Sequence, residues 1–255
     1  MQKFASALVT GASSGIGEQI ARVLADRGTN LTLVARRADR LEQLAADLGG
    51  KVSVEVLVAD LTTDEGCASV EHRLADHPVE LLVNNAGVGS AGMFHELPRD
   101  AEANEVRLNV LALVRLTHAA LATMVVARRG AVLNIGSLAG DQPLRGSATY
   151  AGTKAFVTTF TESVAAELKG TGVTATVVKP GFTFTEINAD EAPDPSSLTA
   201  RMWTHADFVA RCAVEAAEKG DLVCVPGAQW KVVHGLTQTL PRALTRTLST
   251  RLPGI

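Results

Sequence analysis

Seven short apolar runs recur along the chain, and segments with a helical pattern separate most of them. The runs are residues 4–10, 30–35, 52–58, 79–83, 131–136, 173–178 and 221–226. Each has the length and apolar content of a buried strand. Between them, residues 15–28 and 39–50 place apolar side chains at helical spacing, and the second segment ends in a glycine pair typical of a helix end.

The alternation of strands and helices indicates βαβ units with right-handed crossovers. Such units build a parallel sheet that helices cover on both faces. The chain of 255 residues shows no repeat at a fixed period and no low-complexity linker. We therefore predict an α/β fold, a single doubly wound domain with a seven-stranded parallel sheet. Residues 1–227 would form this domain, and residues 228–255 a basic, leucine-rich C-terminal extension of it.

Composition agrees with this layered fold and excludes some functions. Hydrophobic residues make up 46% of the chain and aromatic residues only 4%, so Ala, Val and Leu must fill the core. A net charge of -3 gives no reason to expect nucleic acid as a partner. The three cysteines are widely spaced without nearby histidines, so we predict reduced thiols and no metal site. We see no signal peptide or membrane-spanning segment and expect a cytoplasmic protein.

A glycine-rich turn, TGASSGIG at residues 10–17, follows the first strand and opens the first helix. Its glycines permit a tight turn that brings backbone amides close to a pyrophosphate at the positive end of the helix. The spacing differs from the common GxGxxG pattern, and a turn without a ligand is the alternative. Its place before a helix favours a dinucleotide site in a Rossmann-type domain. The predicted residues are Gly11, Ser13, Ser14, Gly15, Ile16 and Gly17.

The end of the second strand indicates which dinucleotide binds. A site selective for NAD(H) places an acid there, where this chain has Ala35 followed by Arg36 and Arg37. Guanidinium groups suit a 2′-phosphate, so NADP(H) is preferred over NAD(H). The alternative is that one arginine, more readily Arg37, is only a solvated surface charge. Arg36 is therefore the stronger candidate.

The only tyrosine of the chain, Tyr150, precedes Lys154 by one helical turn if residues 147–170 form a helix. The ammonium group would then favour the phenolate and lower a pKa that is about 10 in a free tyrosine. Such a pair exchanges a proton with an alcohol or carbonyl oxygen. Ser137 ends the fifth strand at the same sheet edge and can hold that oxygen. Taken singly, each residue also has an ordinary structural explanation.

Together with the glycine turn, these residues resemble the short-chain dehydrogenase/reductase family, and its NADP(H)-preferring members in particular. The resemblance extends to about residue 227. The matching motifs, in order, are TGASSGIG, NNAG at 84–87, Asn109 in LNV, Ser137, YAGTK at 150–154, and PGFTFT at 180–185.

The resemblance implies a catalytic tetrad of Asn109, Ser137, Tyr150 and Lys154. Asn109 would kink its helix and hold a water that links Lys154 to solvent. Hydride would pass between a nicotinamide and a carbonyl or secondary alcohol carbon, while Tyr150 moves the proton as general acid and base. Lys154 would also bind the nicotinamide ribose, and Tyr150 would lie against the cofactor.

The resemblance also implies further cofactor contacts. Asp60 and Leu61 would meet the adenine, and the NNAG segment would support the cofactor near its ribose. The turn after the sixth strand would receive the nicotinamide carboxamide. The residues of the last two segments are Asn84, Asn85, Ala86, Gly87, Pro180, Gly181, Thr183 and Thr185.

By the same analogy, residues 87–97, 138–148 and 182–200 would bound the substrate pocket. Their apolar side chains predict a small-molecule carbonyl or alcohol substrate that is largely apolar, although each side chain is also compatible with ordinary core packing. His95 would orient a substrate or simply be solvated. The apolar residues are Met93, Phe94, Leu138, Leu144, Phe182 and Phe184.

Two basic features leave alternatives open. Arg128 and Arg129 resemble a carrier-protein contact of related reductases, although cations at a helix end more simply complement its dipole. In the tail, leucines recur every four residues from 236 to 252 among arginines. This stripe would pack on its own domain as a lid, join another subunit of a homodimer or homotetramer, or rest on an anionic membrane, which the small basic count disfavours.

Two other functions are alternatives to that of a dehydrogenase. An NADP(H)-binding sensor or scaffold without turnover needs neither the serine nor the phenol, so the tetrad argues against it. An epimerase or dehydratase of sugar nucleotides would need a larger C-terminal substrate domain than the tail provides.

Overall fold

The computed structural model describes residues 2–186, 193 and 199–239. Its strands are β1 (Ser6–Thr10), β2 (Asn30–Ala35), β3 (Val54–Val58), β4 (Leu81–Asn84), β5 (Gly130–Ile135), β6 (Val173–Val178), β7 (Thr183–Phe184), β8 (Thr204–His205) and β9 (Val223–Cys224). Its α-helices are α1 (Gly15–Asp26), α2 (Ala38–Leu48), α3 (Asp64–Asp76), α4 (Arg99–Val106), α5 (Leu113–Ala127), α6 (Ala148–Glu167), α7 (Ala206–Lys219) and α8 (Ala228–Thr239). A π-helical turn (Arg107–Ala112) joins α4 to α5, and 3₁₀ helices cover Leu138–Asp141 and Thr199–Met202.

Seven of these strands form one parallel sheet in the order β3-β2-β1-β4-β5-β6-β9, which confirms the predicted fold. The predicted seventh strand, residues 221–226, shrinks to Val223–Cys224. This edge strand has one neighbour, and its ladder extends over only two pairs. β7 lies within the predicted excursion 182–200 and pairs with β8, which follows the excursion, in a separate two-stranded sheet.

The sheet is apolar on both faces because helices cover both. Val9, Leu33 and Leu133 point toward the layer of α1, α2 and α7. Their chain neighbours alternate to the other face, where Leu8 and Val132 meet the layer of α3, α5 and α6. This double burial explains why the strands read as continuous apolar runs.

The stretch from Arg99 to Ala127 corrects one expectation. By length and composition alone it is apolar enough to cross a membrane, so the prediction that no segment has such a length was wrong. In the fold, however, Leu116, Ala120 and Met124 of this stretch pack against the sheet. Packing against the sheet therefore accounts for the apolar residues on this face of the stretch.

The C-terminal extension begins as α8, which packs on its own domain. Trp230 and Val233 join Leu138, Val225 and Phe182 in a small apolar cluster. The leucine stripe from residue 240 onward, with Arg242, Arg246 and Arg251, lies outside the described residues, as do 187–192 and 194–198.

Candidate active site

The glycine turn adopts the backbone that its sequence predicts. Gly11 and Gly15 have φ values of 65° and 58°, in the left-handed region that favours glycine. A side chain at Gly17 would overlap the Asn85 amide. Ser14, the N-cap of α1, makes no side-chain hydrogen bond to the first helical turn. The first-turn amides therefore remain available to an anion, which suits the pyrophosphate of a dinucleotide.

Hydrogen bonds fix the end of β4 against this turn. The Thr10 hydroxyl accepts from the backbone N–H groups of Asn85 and Ala86, both at 3.0 Å. The Asn85 amide donates to the Thr10 and Gly11 carbonyls at 2.9 and 3.2 Å. β1 and β4 are the neighbours at which the strand order reverses, where open α/β sheets bind ligands. Thr10 begins the recognised motif but was not predicted as a site residue.

The side chain of Asn84 is enclosed in the core, unlike the residues that follow it. Its side chain is buried and donates to Asn134 Oδ1 at 2.9 Å and to Thr117 Oγ1 at 3.0 Å. Asn134 in turn donates to Thr161 Oγ1 at 2.9 Å. Asn84 therefore ties strands and helices together within the core, while Asn85, Ala86 and Gly87 lie at the sheet edge.

Arg36 projects from the end of β2 with a side chain that is 65% exposed. One of its terminal nitrogens lies 4.0 Å from Asp60 Oδ2. Asp60 Oδ1 accepts from the backbone and hydroxyl of Thr62. Burial raises the pKa of Asp60, but the Thr62 hydrogen bonds and the Arg36 charge outweigh it and lower the pKa overall. Leu61 is buried beside this group.

Arg37 is attached to the glycine turn, so it is not merely a solvated charge. It donates to Ser13 Oγ at 3.1 Å and to Ser14 Oγ at 2.6 Å. It also donates to Glu186 at 2.9 Å, and Arg40 reaches the same carboxylate at 3.4 Å. Sequence reasoning missed Arg40 and Glu186, which lie 146 residues apart in the chain.

Tyr150 and Lys154 lie on one face of α6, as predicted. Lys154 Nζ lies 5.6 Å from the centre of the Tyr150 ring. The lysine is 6% exposed and donates to the Ile135 carbonyl at 2.9 Å. Burial lowers the pKa of Lys154 to about 8, and the charge of Glu105 partly opposes this shift.

Ser137 follows β5 and caps the 3₁₀ helix Leu138–Asp141, where its hydroxyl accepts from the Ala139 N–H at 3.1 Å. This short helix packs against α6 so closely that a side chain at Gly140 would lie 2.6 Å from the Lys154 carbonyl carbon. The Leu138 N–H donates to the Pro180 carbonyl at 3.0 Å. The loop that begins at Ser137 therefore contacts both α6 and the turn at Pro180.

Asn109 lies in the π-helical turn, which is the form that the expected kink takes. Its side chain exchanges two hydrogen bonds with the Val88 backbone, at 3.0 and 2.8 Å, and donates to Thr153 Oγ1 at 3.1 Å. A side chain at Gly87 would lie 3.2 Å from Asn109 Oδ1 and 3.6 Å from Lys154 Nζ. Gly87 therefore lies between two predicted tetrad members.

The segment after β6 lies across the sheet edge. Thr183 is buried and donates to the Gly181 carbonyl at 3.0 Å, and Trp230 of α8 covers Gly181. A side chain at Gly15 of the glycine turn would lie 3.4 Å from Thr185. This segment joins the cofactor turn to the C-terminal helix.

Beside this segment lies a buried ion pair that sequence reasoning missed. Lys179, just before Pro180, pairs with Asp141, and their side chains are 2% and 4% exposed. His234 of α8 lies 2.8 Å from the other Asp141 oxygen. The three residues connect the Ser137 loop, the Pro180 turn and α8.

The side chains predicted to line an apolar pocket divide into three groups. Leu138 and Phe182 pack with Trp230, while Phe184 lies against Trp203 and His205. Leu144 is half-buried. Met93 and Phe94 are exposed on the loop that follows Gly87, as is His95.

The two arginines at the end of α5 have local partners. Arg128 donates to the Gly170 carbonyl at 2.9 Å, and Arg129 pairs with Glu80 at 2.8 Å. These contacts favour the structural interpretation of both arginines over a carrier-protein contact.

Comparison with known proteins identifies the family of this chain. Residues 5–196 match the family model for short chain dehydrogenase. Sulfoacetaldehyde reductase 2 of Chromohalobacter salexigens is 39% identical over 186 residues, which cover 70% of this chain and 73% of the relative. A short-chain dehydrogenase from Sphingobium yanoikuyae in complex with NADPH is 35% identical with a TM-score of 0.81, over 93% of this chain and 97% of that one.

A bulky-bulky ketone specific alcohol dehydrogenase from Comamonas testosteroni is 33% identical with a TM-score of 0.79, over 95% of this chain and 97% of that one. The family match covers most of the chain and includes the glycine turn, Asn109, Ser137, Tyr150 and Lys154. The chain therefore belongs to the short-chain dehydrogenase family, and is an NAD(P)-dependent oxidoreductase of alcohol or carbonyl groups.

Proposed function

We propose that this protein transfers hydride between NADP(H) and a largely apolar carbonyl compound or secondary alcohol, with Tyr150 as general acid and base. The observation that carries the proposal is the pairing of Tyr150 with buried Lys154 on α6. The short helix that Ser137 caps packs against α6 at the carboxyl edge of the sheet, and Asn109 and Lys154 both lie near Gly87. A protein that only binds a nucleotide has no use for this arrangement.

The proton transfer depends on this chain's own residues. The Ser137 hydroxyl holds the substrate oxygen, and the Tyr150 hydroxyl gives it a proton during reduction or takes one during oxidation. The Lys154 ammonium favours the phenolate form of Tyr150. A bound nicotinamide supplies or accepts the hydride.

The proposed preference for NADP(H) rests on the charges beside the glycine turn. Ala35 leaves no acid to bind a ribose 2′-hydroxyl, while Arg36 and Arg37 offer planar donors to a 2′-phosphate. Ser13 and Ser14 hold Arg37 at the turn. The similar Sphingobium enzyme was solved in complex with NADPH.

Apolar side chains around the site support an apolar substrate. Phe182 and Phe184 both pack against Trp203, with ring centres 5.3 and 5.1 Å away. Met93 and Phe94 offer exposed apolar surface on the loop after Gly87. The similar Comamonas enzyme is named for bulky ketones. Ketones with large aliphatic or aromatic groups are therefore the first compounds to test.

The proposal includes a homodimer or homotetramer in the cytoplasm. Val106, Leu111 and Phe156 are exposed on α4, the π-helical turn and α6. Exposed apolar groups of this kind suit contact with a second copy. Light scattering during gel filtration gives the mass, and a monomer at all concentrations would contradict this part.

The function is tested by titrating the purified protein with NADPH and with NADH, followed by rate measurements on a panel of ketones. We expect tighter NADPH binding, turnover of apolar ketones, and loss of turnover in Tyr150→Phe with NADPH binding retained. Turnover by Tyr150→Phe at the wild-type rate would refute the acid–base role. NADPH binding without turnover on any ketone would favour a sensor.

A further inference from the structure

Helix α4 buries two glutamates beside the active site. Glu102 is 7% exposed and Glu105 is 1% exposed. The Oε1 atom of each has no hydrogen-bond partner among the residues that the structure describes. Burying a carboxylate with an unsatisfied oxygen costs free energy, so these residues need an explanation beyond packing.

Glu105 holds the loop that covers the tyrosine. Its Oε2 accepts from the Ser90 backbone N–H at 2.9 Å and from the Ser90 hydroxyl at 2.7 Å. The preceding residue, Gly89, touches the Tyr150 ring so closely that a side chain there would lie 3.0 Å from Cδ2. The carboxylate therefore keeps the Gly89 backbone against the ring.

Glu102 holds the chain just before the tyrosine. Its Oε2 accepts from the hydroxyl of Thr149, the neighbour of Tyr150 in α6. Helix α4 is thus hydrogen-bonded both to the loop that contacts the Tyr150 ring and to the residue before Tyr150 in α6.

The two glutamates differ in their electrostatic partners. Among the described residues, the charges that act on Glu105 are those of Lys154 on α6 and Glu102 on α4. From the loop, Glu105 meets only the uncharged Ser90, because the loop's charged residues His95 and Glu96 are exposed. Burial raises the pKa of Glu105, while the Ser90 hydrogen bonds oppose this and favour its charged form. Of the two glutamates, only Glu105 acts on the Lys154 pKa, which it raises.

We propose that Glu105 is a positioning residue for the proton transfer. Through Ser90 it holds Gly89 against the Tyr150 ring, and its carboxylate adds a negative charge to the buried surroundings of the Tyr150–Lys154 pair. This inference rests on the proposed function, because it assumes that Tyr150 moves the proton.

The test compares pH profiles of alcohol oxidation for the wild type and Glu105→Gln. An amide keeps an oxygen that accepts from Ser90, so only the charge is removed. Loss of this negative charge favours the phenolate form of Tyr150 and the neutral amine form of Lys154. The apparent pKa of the rising limb should therefore fall by about one unit. A purely structural role would lower the rate without moving this pKa.

Two variants serve as matched controls. Glu102→Gln removes a buried charge from the same helix, and Ser90→Ala removes one hydrogen bond but keeps the Glu105 charge. Both should shift the apparent pKa by less than half as much as Glu105→Gln, whatever they do to kcat.

An unchanged profile in Glu105→Gln, or an equal shift in Glu102→Gln, would overturn the inference. Melting curves should show that every variant is folded. If Tyr150→Phe is as active as the wild type, the proposed function itself fails. If it is inactive and Glu105→Gln keeps the wild-type profile, only the inference about Glu105 fails.

Discussion

The two halves of the carboxyl sheet edge use charge in opposite ways. Around the glycine turn, the side chains of Arg36 and Arg37 are 65% and 43% exposed, and the carboxylates that pair with them are 41% and 50% exposed. Around Tyr150, by contrast, Lys154, Glu105 and Lys179 are almost fully buried. Exposed charges interact weakly and are screened by salt, whereas buried charges shift pKa values and alter folding stability.

This difference separates two tasks. A charged cofactor must be attracted from solution and released, and exposed arginines do this at little cost in stability. A proton donor must be tuned, and tuning requires desolvated neighbours. The catalytic half should therefore trade stability for reactivity, which the cofactor half should not. Four substitutions test this contrast, from the largest expected effect to the smallest.

Lys154→Met should give the largest effect. Removing the ammonium beside Tyr150 should lower kcat by about 10²- to 10⁴-fold, the range of general acid–base catalysis. The free energy of unfolding should not fall, because burial opposes the charged form of this lysine. Steady-state kinetics and urea denaturation measure the two quantities, with exposed Lys219→Met as the control. A variant that loses both activity and folding stability would contradict the idea that the catalytic half gives up stability for reactivity.

Lys179→Met should destabilise the fold by about 3–5 kcal/mol, because it leaves the Asp141 carboxylate buried without its cation. The double variant Lys179→Met with Asp141→Leu should recover most of this loss. Denaturant midpoints measure both. If the double variant is no more stable than the single one, the ion pair does more than neutralise charge. The contact between Asp141 and His234 would then be the next contribution to stability to test.

Arg36→Ala should weaken NADPH binding by about 10- to 100-fold, the equivalent of one charge-assisted hydrogen bond. NADH binding should barely change, since NADH lacks the 2′-phosphate. The difference between the two cofactors should also shrink as salt is added. Fluorescence titration measures each affinity, and Arg211→Ala, an exposed arginine on α7, controls for net charge. Equal weakening of both cofactors would remove the phosphate assignment.

Arg22→Ala should have the smallest effect. Arg22 pairs with Glu18 at 2.9 Å and Asp47 at 3.0 Å on the surface of α1 and α2. Partly exposed pairs of this type contribute little, so the free energy of unfolding should change by less than about 0.5 kcal/mol. A larger loss by urea denaturation would show that exposed charge also carries stability here.

The parts of the fold that were predictable depend on local order. The strands, the glycine turn and the Tyr150–Lys154 pair each follow from the spacing of residues that are close together in the sequence. The turn residues Gly11 and Gly15 adopt the positive φ values that their identity suggested. Strand ends were less accurate, as the short β9 shows, because pairing partners determine where a strand ends.

The contacts that tune the site were not predictable from the sequence. Arg37 meets Glu186 across 149 residues, and Lys179 meets Asp141 across 38. Glu105 reads as an ordinary surface residue of a helix, since a glutamate is rarely buried. Only the packing of α4 against α6 and the loop after Gly87 shows that its carboxylate is enclosed.

The π-helical turn between α4 and α5 has a consequence for how this helix tolerates change. A π turn carries one residue more than an α-helical turn, so it shifts the angular phase of everything before it relative to everything after it. Deleting one residue between 107 and 112 would restore a regular helix and rotate α4 by about 100° against α5. Glu102 and Glu105 would then turn away from α6, while the sheet-facing side chains of α5 kept their places. The π-helical turn thus lets α4 direct its glutamates toward α6 while α5 packs against the sheet. The number of residues in this turn is therefore under stricter constraint than their identities.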